Sequence, residues 1–322
     1  MSTRQSRILD RALSRLKLRQ LRLLIAVSEA GNIQAAARGL NMSQPAASKM
    51  IQDLEIDFEV ALFDRTNRGV IPTSHGEALI RHGRLIFAQL SNAAQEMDDL
   101  TEGASGRVVV GTLLAASACL LPKAIQQVLA DRPNVAIKVV DGTNDVLMPA
   151  LRNGEIDMVV GRLPTHNHRH ELEQIPLYQE NIEVVVGPEH PLVGKNDLTF
   201  DDLRPFGWIL PPAETSLRLL VDQFFVDMRQ YSPERVIESV SYLTNRALLK
   251  SSDLIGFMPS AVPQPEMEAG QLHVLPYTLP FGTGAVGITV RAGGGLSPAA
   301  LAMMDALKTI GTNRQSATGE PW

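Results

Sequence analysis

The stretch LRQLRLLIAVSEAGNIQAAARGLNMSQPAASKMIQDLE, residues 18–55, decides the reading of the N-terminal part. Leu21, Leu24, Ile25 and Val27 recur at the spacing of one helical face and stop at Ala30-Gly31-Asn32, where glycine or asparagine can adopt the left-handed conformation that ends a helix. Asn32 is also a candidate N-cap for a second helix, Ile33 to Leu40, whose Ala35, Ala36 and Ala37 let a neighbouring helix approach closely. After Asn41-Met42, Ser43 caps a third helix with Pro45 in its first turn, where the missing N–H costs nothing. Ala47, Ile51 and Leu54 then face inward, leaving Gln44, Ser48 and Lys49 outside, side chains suited to base edges and phosphates. Three short helices, the last polar on its outer face, read as a helix-turn-helix.

The next segment, ALFDRTNRGVIPTSHGEAL (61–79), supplies Leu62 and Phe63 as anchors of a hairpin whose turn carries Arg65, Asn67 and Arg68 beside Gly69. A basic loop next to a recognition helix reads as a wing, where arginines neutralise phosphate and add affinity without sequence information. From Thr73 as N-cap, Ala78, Leu79, Leu85, Ile86, Leu90, Ala93, Ala94, Met97 and Leu100 keep helical spacing as far as GASG (103–106). So long an amphipathic helix predicts pairing with a second copy of itself. Charge agrees with a nucleic-acid partner. Residues 1–84 hold 13 Lys and Arg against 8 Asp and Glu, and the remainder hold 17 against 27, within a chain of net charge −5.

These two motifs, with Ser-Gln-Pro-Ala-x-Ser at 43–48 and Leu-Phe-x-Arg at 62–65, resemble the winged DNA-binding domain and linker helix of the LysR-type bacterial transcriptional regulators. The resemblance runs from about Leu18 over nearly the whole chain. It implies DNA contacts at Asn32, Gln34, Ser43, Gln44, Pro45, Ala46, Ser48 and Lys49, with Arg65 and Arg68 on phosphate. Pro72 and His75 depart from the family pattern at the start of the linker helix. A leader, residues 1–17, precedes the usual start; Ile8, Leu9, Ala12, Leu13 and Leu16 form a helical stripe among arginines, open to reading as a DNA contact, a frayed surface helix or an upstream start codon.

Past residue 106, short β-rich runs alternate with helical stretches: VVVG (108–111), Leu120 to Leu129, VAIKVV (135–140), Val146 to Leu151 and IDMVVG (156–161). This is the pattern of parallel βαβ units, whose ligands bind beyond the carboxyl ends of the strands, here after Gly111, Val140 and Val160. A second set, IEVVVGPEHPL (182–192), FGWILPP (206–212), Leu217 to Met228, Val236 to Leu249 and LIGFMPS (254–260), predicts another lobe. QLHVLPY (271–277) and GITVRA (287–292) are expected to return to the first lobe. This part resembles the family's effector-binding domain, two lobes of the periplasmic-binding-protein kind, through GTLLAASACLLP (111–122). The resemblance implies ligand contacts at Leu114, Ala115, Ala116 and Ser117, at Thr143, at Arg162 in GRLP (161–164), and at Leu210, Pro211 and Pro212. Ala115 lacks the hydroxyl that carboxylate-binding relatives often carry there. Ser117, expected at a helix start with free N–H groups, and the Thr143 hydroxyl remain for an anionic or hydroxylated ligand. GRLP and WILPP (208–212) are similar to the branch containing the galactose-binding-protein and protocatechuate regulators.

Other signals carry less. Gly282-Thr-Gly284-Ala-Val-Gly287 has dinucleotide-fingerprint spacing, but a strand follows it where the fingerprint needs a helix. His166, His168 and His170 alternate without a Cys or acidic cluster to complete a metal set. Cys119, the single cysteine, cannot form an intrachain disulfide and sits in an apolar helix start, as a structural thiol would. GxSxG and Walker motifs are absent, so no catalytic constellation, cofactor or metal is expected. No membrane span is expected, and the arginine-studded N-terminus is unlike a secretory signal.

The chain of 322 residues, 44% hydrophobic and 20% charged, is about twice one domain. Its expected fold class is α/β: a winged helix-turn-helix (18–76), a linker and dimerisation helix (77–104) and a two-lobed effector-binding domain (105–312), with an N-terminal extension (1–17) and a tail (313–322). Lobe I is expected at 105–165 and 271–312, lobe II at 166–270. The expected function is a cytoplasmic regulator that binds double-stranded operator DNA as a dimer of dimers, contacts RNA polymerase, and senses a sugar or an aromatic or other organic acid. The alternative is a small-molecule-binding or enzymatic α/β protein that uses the helical domain only for assembly.

Overall fold

Caps determine where the N-terminal helices begin and end. In the computed structural model, which describes residues 3–66, 69–102, 106–164, 171–213, 215–228, 231, 233–281 and 284–316, the chain forms two units, Met1–Ser91 and Asn92–Trp322. The first contains α1 (Thr3–Arg15), α2 (Leu18–Ala30), α3 (Ile33–Gly39), α4 (Gln44–Phe58), the antiparallel hairpin of β1 (Phe63–Thr66) and β2 (Gly69–Pro72), and the first turns of α5 (Ser74–Glu102). α2 ends at Gly31, left-handed at φ 61°. The Asn32 side chain accepts from the backbone N–H groups of Gln34 (2.8 Å) and Ala35 (3.1 Å), and Ser43 Oγ accepts from Ala46 N (3.4 Å). Thr73 Oγ1 likewise accepts from Gly76 N at 3.1 Å, so the departures at Pro72 and His75 leave the start of α5 in place. Leu23, Leu24, Val27, Ala36, Ala37, Ala47, Ile51 and Leu54 form the core, with Leu62 and Phe63 closing it from the hairpin.

The leader is not frayed. α1 packs on α4, Arg11 Nη1 meets Glu59 Oε1 at 2.7 Å, Arg15 stands 3.6 Å from Asp57, and Leu16 joins the core. Cations in the last half of α1 thus face acids at the end of α4.

The second unit holds β3 (Arg107–Thr112), α6 (Leu114–Ser117), α7 (Leu120–Asp131), β4 (Ala136–Asp141), α8 (Asn144–Arg152), β5 (Met158–Arg162), β6 (Leu172–Glu180) and β7 (Ile182–Val186). It continues through α9 (Phe200–Leu203), β8 (Trp208–Leu210), α10 (Ser216–Asp227), β9 (Val236–Glu238), α11 (Tyr242–Ser251), β10 (Ile255–Pro259), α12 (Gln264–Glu268), β11 (His273–Val274), β12 (Gly284–Arg291) and α13 (Pro298–Ser316). Two five-stranded sheets result, ordered β4-β3-β5-β12-β6 and β11-β7-β10-β8-β9. The strands β3, β4 and β5 are mutually parallel, as are β8, β9 and β10; β12 and β6 in one sheet and β7 and β11 in the other run antiparallel to their neighbours. α7 and α13 cover one face of the first sheet around Val110, Met158 and Ile288, and α10 covers the second around Trp208 and Phe257.

Strand pairing and element bounds correct four expectations. β6 pairs with β12 and so belongs to the first lobe rather than the second, and the chain crosses over between Glu180 and Ile182. The strand within QLHVLPY pairs with β7 in the second sheet and does not return to the first; only β12 does. Val236 to Leu249 splits into β9 and α11, and α13 runs through Ser316, past the expected boundary at 312. Hydrogen-bonded pairing between strands far apart in sequence makes these choices, and periodicity within each strand does not encode them.

Candidate functional site

In the N-terminal unit the wing is seated on the helix-turn-helix. Gly31 O, at the end of α2, accepts from Val70 N at 2.9 Å, and Gly69 (φ 137°) lies so close that a Cβ there would overlap the same carbonyl. Glu55 Oε1 in α4 accepts from Leu62 N at 2.9 Å and Phe63 N at 3.4 Å, which ties α4 to the hairpin. On this scaffold Gln34, Gln44, Pro45, Ala46, Lys49 and Arg65 are exposed, and Ser48 is half-buried. Asn32 and Ser43 are exposed too, but their side-chain oxygens are committed to the caps. Arg68 lies outside the described residues.

In the second unit a cleft of about 480 Å³ opens between the two sheets. Its walls come from the carboxyl ends of the parallel strands of both sheets: Thr112 to Ala115 and Ser117 at and beyond the end of β3, Asp141 to Asn144 at and beyond the end of β4, and Arg162 at the end of β5. Across from them stand Pro211 and Thr215 after β8, Ser239 to Leu243 and Asn245 after β9, and Pro259 at the end of β10. Six of the residues expected to meet a ligand line it: Leu114, Ala115, Ser117, Thr143, Arg162 and Pro211. Ala116 and Leu210 are instead buried in the cores, and Pro212 does not reach the lining. Ser117 ends α6 rather than starting a helix, and its hydroxyl donates to Leu114 O at 3.0 Å.

The residues that sequence reading missed are mainly those of the second wall. Thr215 Oγ1 caps α10 by accepting from Arg218 N at 3.2 Å, and Ser241 Oγ caps α11 by accepting from Thr244 N at 3.4 Å. Both capping residues precede apolar helical runs, a signal that marks helix starts in the bare sequence. Thr143 occupies the N-cap of α8 without capping through its hydroxyl, which leaves that group for another partner.

Arg162 is the only base and Asp141 the only acid among the described lining residues. The Arg162 guanidinium lies over Gly284 of β12, where any Cβ would overlap Cζ and Nη2. Burial lowers the Arg162 pKa, and the negative charge of Glu180 partly offsets this. Glu180, 3% exposed at the crossover between lobes, accepts from Ala261 N at 3.3 Å. Burial pushes its carboxyl up to about 7, against that hydrogen bond and the charges of Arg314 and Arg162. Cys119 is half-buried, and burial raises its thiol pKa. Among the described residues no cluster of His, Cys, Asp and Glu could hold a metal, and no helix is long and apolar enough to cross a membrane. HNHRH lies outside the described residues, and from Gly284 the fingerprint-like segment continues as β12.

The LysR substrate binding domain family matches residues 101–311, and the lysR family of bacterial regulatory helix-turn-helix proteins matches residues 18–77. The chain belongs to the LysR family. It is 36% identical over 296 residues to the HTH-type transcriptional regulator GbpR of Azospirillum brasilense, covering 92% of this chain and 86% of GbpR. It is 32% identical over 278 residues to the regulator PcaQ of Agrobacterium fabrum, covering 86% and 89%. Full-length OxyR from Pseudomonas aeruginosa shares the fold at a TM-score of 0.63 and 23% identity, covering 91% of this chain and 95% of OxyR. Full-length CbnR complexed with its target DNA does so at 0.60 and 21%, covering 91% and 99%. The protein is therefore a LysR-type DNA-binding transcriptional regulator with an effector-binding domain, and its relatives are regulators rather than enzymes.

Proposed function

We propose that this LysR regulator reads double-stranded operator DNA by laying α4 in the major groove, with Gln44, Ser48 and Lys49 on base edges and phosphate, Gln34 and the capped ends at Asn32 and Ser43 beside the backbone, and Arg65 and Arg68 gripping phosphate from the wing. Pro45 and Ala46 lie at the contact surface. The observation that carries this reading is that Gln44, exposed as the first residue of α4, and Lys49, exposed on the side away from buried Ala47, Ile51 and Leu54, are both open to a partner. The domain division we propose is a DNA-binding part up to Pro72, a linker helix over 74–102 and an effector-binding part beyond residue 105.

Along α5, Ile86, Leu90, Ala93 and Met97 are exposed at spacings of four, three and four residues, which supports pairing with a second copy. Two such pairs make the tetramer. A small metabolite closing the cleft then shifts the DNA-bound assembly between bent and relaxed forms and changes its contact with RNA polymerase, in the cytoplasm. The test is a footprint of the purified full chain on the DNA upstream of its own gene, with and without a compound that binds the cleft. A footprint that shortens or shifts supports the reading, and identical footprints overturn the sensing part. Loss of the footprint in Lys49→Ala supports the α4 assignment, whereas an unchanged footprint overturns it.

A further inference from the structure

The chain passes between the two sheets of the effector-binding part at the end of β6. Glu180 closes β6 in the first sheet, and Ile182 opens β7 in the second. In register Glu180 faces Gly284, with which β12 brings the chain back to the first sheet after β11. The outward and return crossings therefore meet at one pair of residues, and this junction is where a change of angle between the lobes is absorbed.

Glu180 is buried there and ties the lobes to each other. One carboxyl oxygen, Oε1, accepts from the backbone N–H of Ala261, which follows β10 of the second sheet, at 3.3 Å. Beside it Asn181 O accepts from Ser260 N at 2.9 Å. The other carboxyl oxygen, Oε2, is shut off from solvent with no hydrogen-bond partner, a position that suits a neutral carboxyl and is costly for an ionised one. Among the described residues, the ionisable groups that act on the carboxyl come from four elements. Arg162 of β5 lies over Gly284, and Arg314 of α13 stands 4.9 Å from the centre of the Tyr178 ring. Tyr178 precedes Glu180 by two residues on β6, and Cys119 stands at the N-cap of α7. Both arginines and the Ala261 N–H favour the ion, and burial prevails over them. Part of the cover that produces this burial, the segment at Ala261, belongs to the other lobe. Turning the lobes apart therefore admits water to Oε2 and lets the carboxyl ionise.

We propose that Glu180 is a proton-operated catch between the lobes: protonated, it stays buried and holds the segment after β10 to the end of β6; ionised, it favours an opened, hydrated junction in which the lobes change their angle. Arg162, and Pro259 two residues before Ala261, line the cleft, so the catch acts on the cleft walls. That its state reaches operator DNA rests on the reading of the cleft as the effector site; the catch itself does not.

The test is hydrogen exchange of the full chain, read by mass spectrometry, in the parent and in Glu180→Gln at pH 6 and pH 8. The glutamine keeps the shape and the acceptor for Ala261 N–H but cannot ionise. Comparing the two proteins at one pH cancels the intrinsic pH dependence of exchange. Segments 178–182 and 256–263 are expected to open while the cores around Val110 and Trp208 are still protected. The parent-to-variant ratio of that opening is expected to rise about 10-fold from pH 6 to pH 8, as for a carboxyl that titrates at about 7 when covered and 4.5 when hydrated. An equal ratio at both pH values overturns the proposal. Junction segments that exchange only in step with the two cores also overturn it, because the carboxyl then titrates on unfolding of whole lobes. Thermal melting verifies the fold of the variant. If the variant does not fold, junction opening in the parent alone, corrected for the exchange rates of the unfolded chain, gives the answer: a rise of about 10-fold supports the catch and a constant value overturns it.

Discussion

The DNA-binding face and the effector cleft are built in opposite ways. The face comes from one run of chain, Asn32 to Arg65, on short helices locked by local caps and presented outward over a core of Leu23, Val27, Ala47 and Leu54. The cleft gathers side chains from residue 112 to residue 259, each at the end of a strand or the start of a helix, and no two neighbouring segments in the sequence suffice to form it. Local construction makes a surface readable from periodicity, whereas assembly by sheet pairing does not.

If the face depends on its own small core, Ala47→Asp breaks it outright. A carboxylate placed between α2, α3 and α4 costs more than about 4 kcal/mol, so helical circular dichroism drops and operator binding is lost, while the melting transition of the effector-binding domain is retained. A single transition lost throughout the chain would count against two separately stable cores.

The cleft side is sharpened by Glu180. Its folded value of about 7 lies above the ordinary 4.5, so the folded protein keeps a proton that the unfolded chain has released, and stability falls as pH rises from about 4.5 through about 7. Glu180→Gln removes this slope. Chemical denaturation is expected to show the variant more stable than the parent by up to about 3 kcal/mol at pH 8 and by little at pH 4. A gain equal at both pH values would contradict burial as the cause.

On the face, Lys49→Ala is expected to cost about 1–3 kcal/mol of operator affinity, and Arg65→Ala to weaken binding evenly across sequences while lowering the salt slope by about one. Anisotropy titrations at several salt concentrations separate the two. A sequence-selective loss from Arg65→Ala would move that residue from phosphate to base contact. The smallest effect belongs to the caps: Asn32→Ala is expected to remove about 1 kcal/mol of stability from the N-terminal unit, read by denaturant unfolding.

Much of the N-terminal unit was legible. Gly31, Asn32, Ser43 and Thr73 each announce a helix boundary by their own backbone and side-chain chemistry, and the structure uses all four. The leader was less so, because its docking rests on Arg11 and Arg15 meeting Glu59 and Asp57, more than forty residues away. In the second unit the parallel strands and their helices followed from apolar runs, but β6 and β11 were assigned to the wrong lobes. Among the cleft residues, Thr143 and Arg162 came from family resemblance, and Asn144 and Asn245 from no pattern at all, since an asparagine in a first helical turn is ordinary until its oxygen is found buried and unpaired.

By itself the sequence determined the helix-turn-helix, the basic wing, the long helix and the βαβ order, because caps, side-chain period and glycine placement act within a few residues. Only the tertiary structure decided which strand joins which sheet, that Arg162 rests on Gly284, and that Asn144 and Asn245 line one cleft. Those follow from hydrogen bonds and packing between segments a hundred residues apart, and burial, which gives such groups their chemistry, exists only once the chain has folded.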